Sequence, residues 1–175
     1  KSIKYSLLKS EKVFLKFKPD YVFLIGGLSG GISFNKKNPH DLMMSNLVTD
    51  IISLPLSHKY KIKKLIYVGS SCMYPKNIKN NASPNIILSS SLEETNLHYA
   101  TSKITGMILC DAFNKQFGTN FITVIPSNYF GPNDDFSKEN SHVIPALINK
   151  IHEAKKKNKK IIKIWGSGKP IRDFL

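Results

Sequence analysis

Apolar residues at Ile3, Leu7, Leu8, Val13, Phe14 and Phe17 recur at the spacing of one helix face, so residues 2–17 read as an amphipathic helix. Lys18-Pro19-Asp20 ends it, because a proline disfavours helical geometry in the residue before it. Residues 21–25 then form a short unbroken apolar run, closed by Gly26-Gly27, the pattern of a strand buried on both faces of a parallel sheet. Further on, 39–56 reads as a helix, 64–70 (KLIYVGS) as a second buried strand, and 75–91 as a long polar loop rich in Asn and Ser. Helix 99–117, strand 121–125, helix 143–157 and strand 161–165 complete the series. Strands alternating with helices predict an α/β fold with a doubly wound parallel sheet and right-handed crossovers. In such a fold the ligand lies at the carboxyl ends of the strands. The residues there are Gly26-Gly27, Ser70-Ser71-Cys72 and Pro126-Ser127-Asn128.

Composition adjusts this picture in three ways. The 175 residues suit one domain, and no apolar run approaches the roughly 20 residues of a membrane-spanning helix. Residues 1–18 interleave six Lys with apolar positions and show no export signal, and the two cysteines, Cys72 and Cys110, make no disulfide framework. A reducing cytoplasmic compartment is therefore expected. The net charge of +14 first suggests a nucleic-acid partner, but the 26 basic residues are 25 Lys and a single Arg. Proteins that read bases and phosphates favour the bidentate Arg fork. Lys, Asn and Ile are inflated together, as an A/T-rich genome would produce, so neither nucleic acid nor membrane is expected as a partner.

One part of a complete dinucleotide-binding fold is missing. No G-x-G-x-x-G follows an opening strand; Gly26, Gly27, Gly30 and Gly31 have the wrong spacing and too long a gap to the helix at 39. The chain opens without Met directly on a helix and stops at Arg172-Asp173-Phe174-Leu175. It reads as a fragment of a longer protein that lacks the first strand and its Gly-rich loop.

Candidate chemistry gathers around Tyr99 and Lys103. Their i, i+4 spacing at the start of a helix puts both on one face. A cation near a phenol favours the phenolate, which lets the hydroxyl exchange a proton with a carbonyl or alcohol oxygen. Such a pair is common by chance, and Ser70 gives it weight: a hydroxyl at the end of the preceding strand can hydrogen-bond the oxygen that Tyr99 protonates. Ser70 and Ser71 also suit loop capping, Cys110 a buried core position, and His142 a helix cap. His40, His58, His98 and His152 read as surface residues.

A strand-end Ser followed by Y-x-x-x-K on a helix is the catalytic order of the short-chain dehydrogenase/reductases. The blocks GSSCMYP (69–75), LEETNLHYATSKITGMILC (92–110), PSNYFGPND (126–134), NSHVIPALINKIHEAK (140–155) and IWGSGKPIRDFL (164–175) resemble, within that superfamily, the GDP-L-fucose synthases, members of the NAD-dependent epimerase/dehydratase family. The similarity runs from about Pro19 to Leu175. It implies a Rossmann-like NADP-binding domain, partial here, over 1–130, and the beginning of a small nucleotide-sugar-binding region over 131–175. Ser70, Tyr99 and Lys103 match the family's reductase triad, and Cys72 and His142 its epimerisation base and acid. Val68, Gly69, Ser70, Ser71, Pro126, Ser127, Asn128 and Tyr129, with Tyr99, Lys103 and His142, match positions that contact NADPH. Lys150, Trp165 and Arg172 match positions that bind the GDP-sugar, and Arg172 is the only planar fork in the chain. No metal ligands are implied. The resemblance also implies a homodimer and the NADPH-dependent conversion of GDP-4-keto-6-deoxy-D-mannose to GDP-L-fucose.

Residues 24–31 depart from the family, whose best-known members carry there an Ala-rich run, a Lys and V-G-G. A related epimerase or dehydratase on another nucleotide-sugar therefore stays open. So does a non-catalytic Rossmann-like binding protein, which an intact Ser70, Tyr99 and Lys103 set argues against.

Overall fold

The computed structural model describes residues 3–78, 82–137, 141–164, 166–169 and 171–175, with side chains from residue 7 onward. Three strands, β1 (Tyr21–Leu24), β2 (Lys64–Val68) and β3 (Phe121–Val124), form a parallel sheet in the order β1-β2-β3. Val22 lies opposite Leu65, Leu24 opposite Tyr67, and Leu65 opposite Phe121, so these side chains share one face. Helices α3 (Pro39–Lys59) and α4 (Leu97–Phe117) pack on that face and on each other, adding Leu54 and Cys110 to the core. Leu54 and Leu65 are fully buried, each contributing roughly 1.5–3 kcal/mol. Phe14 of α1 (Ile3–Phe17) docks behind this layer on Ile52 and Leu56 of α3.

The architecture is the α/β, Rossmann-like one that the pattern predicts, and several details differ. β1 is not buried on both faces: Tyr21 and Phe23 are 61% and 64% exposed, because α3 and α4 cover the same side of the sheet. The α1 stripe is likewise only partly used, with Phe14 buried while Leu8, Val13 and Phe17 face solvent. A six-residue helix, α2 (Ile32–Lys37), starts directly after Gly31, so the gap from the glycines to the next helix is short. Six residues are too few for a period to stand out. α3 continues through Pro55 to Lys59; the buried Leu54 and Leu56 on either side hold it in place. His58 is half-buried rather than on the surface, its ring stacked on Phe117 with centroids 4.4 Å apart.

The largest difference is at the end of the chain. Residues 161–164 form no strand, and Ile161 and Ile164 are exposed. The pairing is made instead by Asp173–Leu175, which run beside 128–130: the Asn128 amide donates to the Asp173 carbonyl at 3.2 Å and the Leu175 amide to the Asn128 carbonyl at 2.9 Å. Within 161–164 only Ile162 is even half-buried, and Trp165 lies outside the described residues.

Two joints hold the strand ends in register. α4 closes on Gly118 in the left-handed region (φ 65°), and the side chain of Asn114 donates to the Phe121 carbonyl and accepts from the Phe121 amide at 2.7 and 2.9 Å. After β1, Gly27 (φ 131°) sits against the Asn46 side chain, whose amide donates to the Leu28 and Leu42 carbonyls. Helix α5 (Val143–Lys156) tolerates Pro145 because its first turn leaves backbone amides unpaired. Among the described residues no helix is long and apolar enough to cross a membrane.

Candidate active site

At the carboxyl ends of β2 and β3 a cleft of about 2350 Å³ opens between residues 25–35, α4, α5 and the last residues of the chain. Pockets for small ligands commonly enclose roughly 300–1,000 Å³; this space is larger because it is an open cleft rather than an enclosed cavity. The cleft is lined by Val68 to Cys72, Tyr99, Lys103, Pro126 to Tyr129, His142, Lys150 and Arg172. These are the residues singled out in the sequence, with two qualifications: Trp165 lies outside the described residues, and the Lys150 ammonium donates to the Lys163 carbonyl at 2.8 Å.

Ser70 lies two residues past β2 in extended geometry and caps a single 3-10 turn, Ser71–Met73. Its hydroxyl oxygen accepts from the Cys72 amide at 3.3 Å, while its own amide faces the Met73 sulfur. The capping role and a catalytic role are therefore compatible: the cap uses a lone pair and leaves the hydroxyl hydrogen free to serve another oxygen. The same hydroxyl acts on both the Tyr99 phenol and the Cys72 thiol, working to lower the pKa of each against burial. The turn thus brings Ser70, Cys72 and Tyr99 to one point.

The electrostatics oppose ready ionisation. Burial pushes the Tyr99 phenol above its ordinary value, Cys72 adds to this, and Ser70 works against it. Burial likewise pushes the Cys72 thiol up; Ser70 and Arg172 lower it, and the Glu93 carboxylate raises it. Lys103 is 3% exposed, and its ammonium donates to the Val68 carbonyl at 3.1 Å. Burial lowers its pKa, and the charge of Asp50 counters that effect. The expected partnership of Lys103 with Tyr99 is one of shared helix face; in this arrangement the ammonium is held by the strand end.

His142 is exposed and stands at the N-terminal boundary of α5, making no side-chain cap. Arg172 reaches the same cleft because the Asp173–Leu175 pairing draws the chain end against Asn128; its guanidinium donates to the Ile171 carbonyl at 2.7 Å.

Three lining residues had not been singled out. Glu93 caps the 3-10 turn that leads into α4, accepting from the Thr95 and Asn96 amides at 3.1 Å each. The E-x-x-N spacing before α4 is its local signal. Asn35 of α2 is buried and donates to the Asn96 side chain at 2.7 Å, joining α2 to the start of α4. Nothing in the local sequence distinguishes it from the surrounding Asn-rich surface. Ser141 is the third. Asn35 Oδ1 and Ser141 Oγ are buried without a hydrogen-bond partner, and both residues line the cleft. A ligand rich in hydroxyl and amide groups, as a dinucleotide is, fits such a donor and acceptor set.

Sequence comparison gives these residues a context. Residues 6–175 match the profile of the NAD dependent epimerase/dehydratase family. The chain is 44% identical over 165 residues to a GDP-L-fucose synthase of Sinorhizobium fredii, covering 94% of this chain and 52% of that protein. It is 39% identical to the GDP-L-fucose synthase of Escherichia coli over 97% of this chain and 54% of that one. Among solved structures, a GDP-L-fucose synthetase from Naegleria fowleri bound to NADP superposes with a TM-score of 0.85 at 28% identity, over 95% of this chain and 54% of that one. The chain spans about half the length of the curated relatives it matches.

Proposed function

The chain belongs to the NAD dependent epimerase/dehydratase family, and we propose that the protein it comes from converts GDP-4-keto-6-deoxy-D-mannose to GDP-L-fucose in an NADPH-dependent reaction. The observation that carries this reading is the meeting of Ser70, Cys72 and Tyr99 at the end of β2, with Lys103 one helical turn beyond Tyr99. The GDP-L-fucose synthase relatives and the NADP-bound neighbour support the choice of substrate and cofactor.

The roles follow from the side chains. A 4-keto group acidifies the C–H bonds at C3 and C5. Cys72, as thiolate, removes each proton, and His142 returns one to the opposite face, inverting the carbon. Arg172 grips the GDP diphosphate, and its positive charge also favours the thiolate. Ser70 donates to the C4 oxygen, and Tyr99 gives that oxygen its proton as C4 is reduced. When bound, NADPH supplies the hydride to C4. Lys103, one helical turn from Tyr99, would hold the nicotinamide ribose and favour proton release by the phenol. Val68 to Ser71 and Pro126 to Tyr129 hold the cofactor, and Lys150 and Trp165 the GDP-sugar. In this division, residues 1–130 belong to the NADP-binding domain and 131–175 begin the sugar-binding region. A cytoplasmic homodimer completes the reading.

The test is an assay of the full-length protein with GDP-4-keto-6-deoxy-D-mannose. NADPH oxidation should accompany GDP-L-fucose formation. Oxidation yielding a 4-hydroxy sugar that is not inverted at C3 and C5 would rule out the epimerase half.

A further inference from the structure

Behind the site, Asp50 of α3 and Tyr67 of β2 form a buried pair that the proposed chemistry does not use. Asp50 is 1% exposed and Tyr67 fully buried, and the Tyr67 hydroxyl donates to Asp50 Oδ2 at 2.9 Å. Lys103 lies over the Tyr67 ring, its ammonium nitrogen 5.1 Å from the ring centroid. Gly106, three residues along the same face of α4, lies so close that a β-carbon there would collide with both the Tyr67 hydroxyl and the Asp50 carboxylate. α4 therefore rests directly on the pair.

We propose that Asp50 and Tyr67 are positioning residues for Lys103: the carboxylate, tethered by the Tyr67 hydroxyl, keeps the buried ammonium charged and aimed at the Val68 carbonyl and the cleft. This rests on the reductase reading for its functional meaning, though not for its physics. A buried ammonium without a compensating charge sheds its proton. Lys103 has one carbonyl bond and one aromatic face, and neither supplies a full negative charge. Asp50 does once ionised: burial raises its pKa to about 6, the Tyr67 hydroxyl and the Lys103 charge work against that rise, and Asp50 in turn opposes the lowering that burial imposes on Lys103. The groups that face Asp50 are Tyr67 from β2 and Lys103 and Cys110 from α4. Cys110, pushed up to about 12 mainly by burial, stays a neutral thiol. Lys103 is thus the one cation coupled to this carboxylate among the described residues.

The pair can be tested in the full-length protein by competitive acetylation of Lys103 against pH, read by peptide mass spectrometry. Asp50→Asn retains an acceptor for Tyr67 and removes the charge. Its Lys103 midpoint should fall by about one pH unit or more, roughly a tenfold loss of proton affinity. The reduction step should slow with it and shift its pH profile, while KM for the GDP-sugar stays near wild type. An unchanged midpoint in a variant that still unfolds cooperatively overturns the proposal. Should Asp50→Asn not fold, Lys103→Met tests the reciprocal coupling. A protonated-carboxyl infrared band should then grow at neutral pH relative to wild type and fade as the pH is raised; its absence overturns the proposal equally. A wild-type protein that oxidises no NADPH while Asp50→Asn still moves the Lys103 midpoint sinks the reductase reading and supports the coupling.

Discussion

The Ser70 hydroxyl accepts the Cys72 amide at 3.3 Å, so the group assigned to hold the substrate's keto oxygen and the thiol assigned to move ring protons are fixed by one 3-10 turn. A shared turn sets their separation through the backbone. It also means that a change at Ser70 acts twice, once on the substrate oxygen and once on the placement of Cys72.

Ser70→Ala should therefore lower both half-reactions. Losing a donor to a developing oxyanion costs about 10²-fold in the reduction rate. The lost cap costs about 1 kcal/mol of stability and loosens the turn that carries Cys72. Stopped-flow NADPH oxidation and solvent deuterium exchange at C3 and C5 would measure the two effects separately. A loss confined to reduction would show that the cap does not position the thiol.

Tyr99→Phe should abolish reduction and leave exchange at C3 and C5 intact, since the phenol is assigned only to the C4 oxygen. Cys72→Ser should do the reverse, suppressing exchange more than the reduction of an already inverted ketone. Mass-spectrometric deuterium uptake in the sugar, with and without NADPH, tests both. Normal exchange in Cys72→Ser removes the thiol as the base.

The exchange reaction should rise with pH, because its base is a thiol that burial holds above the ordinary cysteine value. Two neighbours set the position of that rise in opposite directions. Arg172→Gln removes a charge that lowers the Cys72 pKa, so the rise moves to higher pH; Glu93→Gln removes one that raises it, so the rise moves to lower pH. A pH–rate profile of exchange at saturating sugar nucleotide distinguishes these shifts from altered binding. Coincident profiles would indicate that a group other than Cys72 titrates.

Much of this arrangement was legible along the chain because it rests on local signals. The runs at 21–25, 64–70 and 121–125 became β1, β2 and β3, and Y-x-x-x-K fell on the face of α4 toward the strand ends. What escaped was set by distant neighbours. Phe23 and Leu24 look alike in sequence, and only the placement of α3 and α4 on one sheet face leaves the first exposed and buries the second. The apolar pattern at 161–165 suits a strand, yet Asp173–Leu175 take the place beside 128–130. Asn35 and Asp50 gain their meaning from Asn96 and Tyr67, 61 and 17 residues away. No local period encodes such pairings.

Gly106 provides a stability test of the same packing. It lies in the middle of α4, where Ala has the higher helix propensity by about 1 kcal/mol, so on local grounds Gly106→Ala should stabilise the protein. The tertiary contact points the other way. A β-carbon at 106 meets the Tyr67 hydroxyl and Asp50 carboxylate, both buried and both fixed by their own hydrogen bond, so neither can move aside without losing it. Overpacking of this kind costs about 1–3 kcal/mol, and a broken Tyr67–Asp50 bond would leave a buried carboxylate short of a donor. The collision outweighs the propensity gain. Gly106→Ala should therefore lower the urea midpoint of the full-length protein at unchanged m-value. Pairing it with Tyr67→Phe should recover little, because the Tyr67 ring carbon and the Asp50 carboxylate still meet the added β-carbon and Asp50 loses its donor. A midpoint raised by Gly106→Ala alone would mean that α4 can lift from β2 at little cost, and that Lys103 is not held there by the packing described.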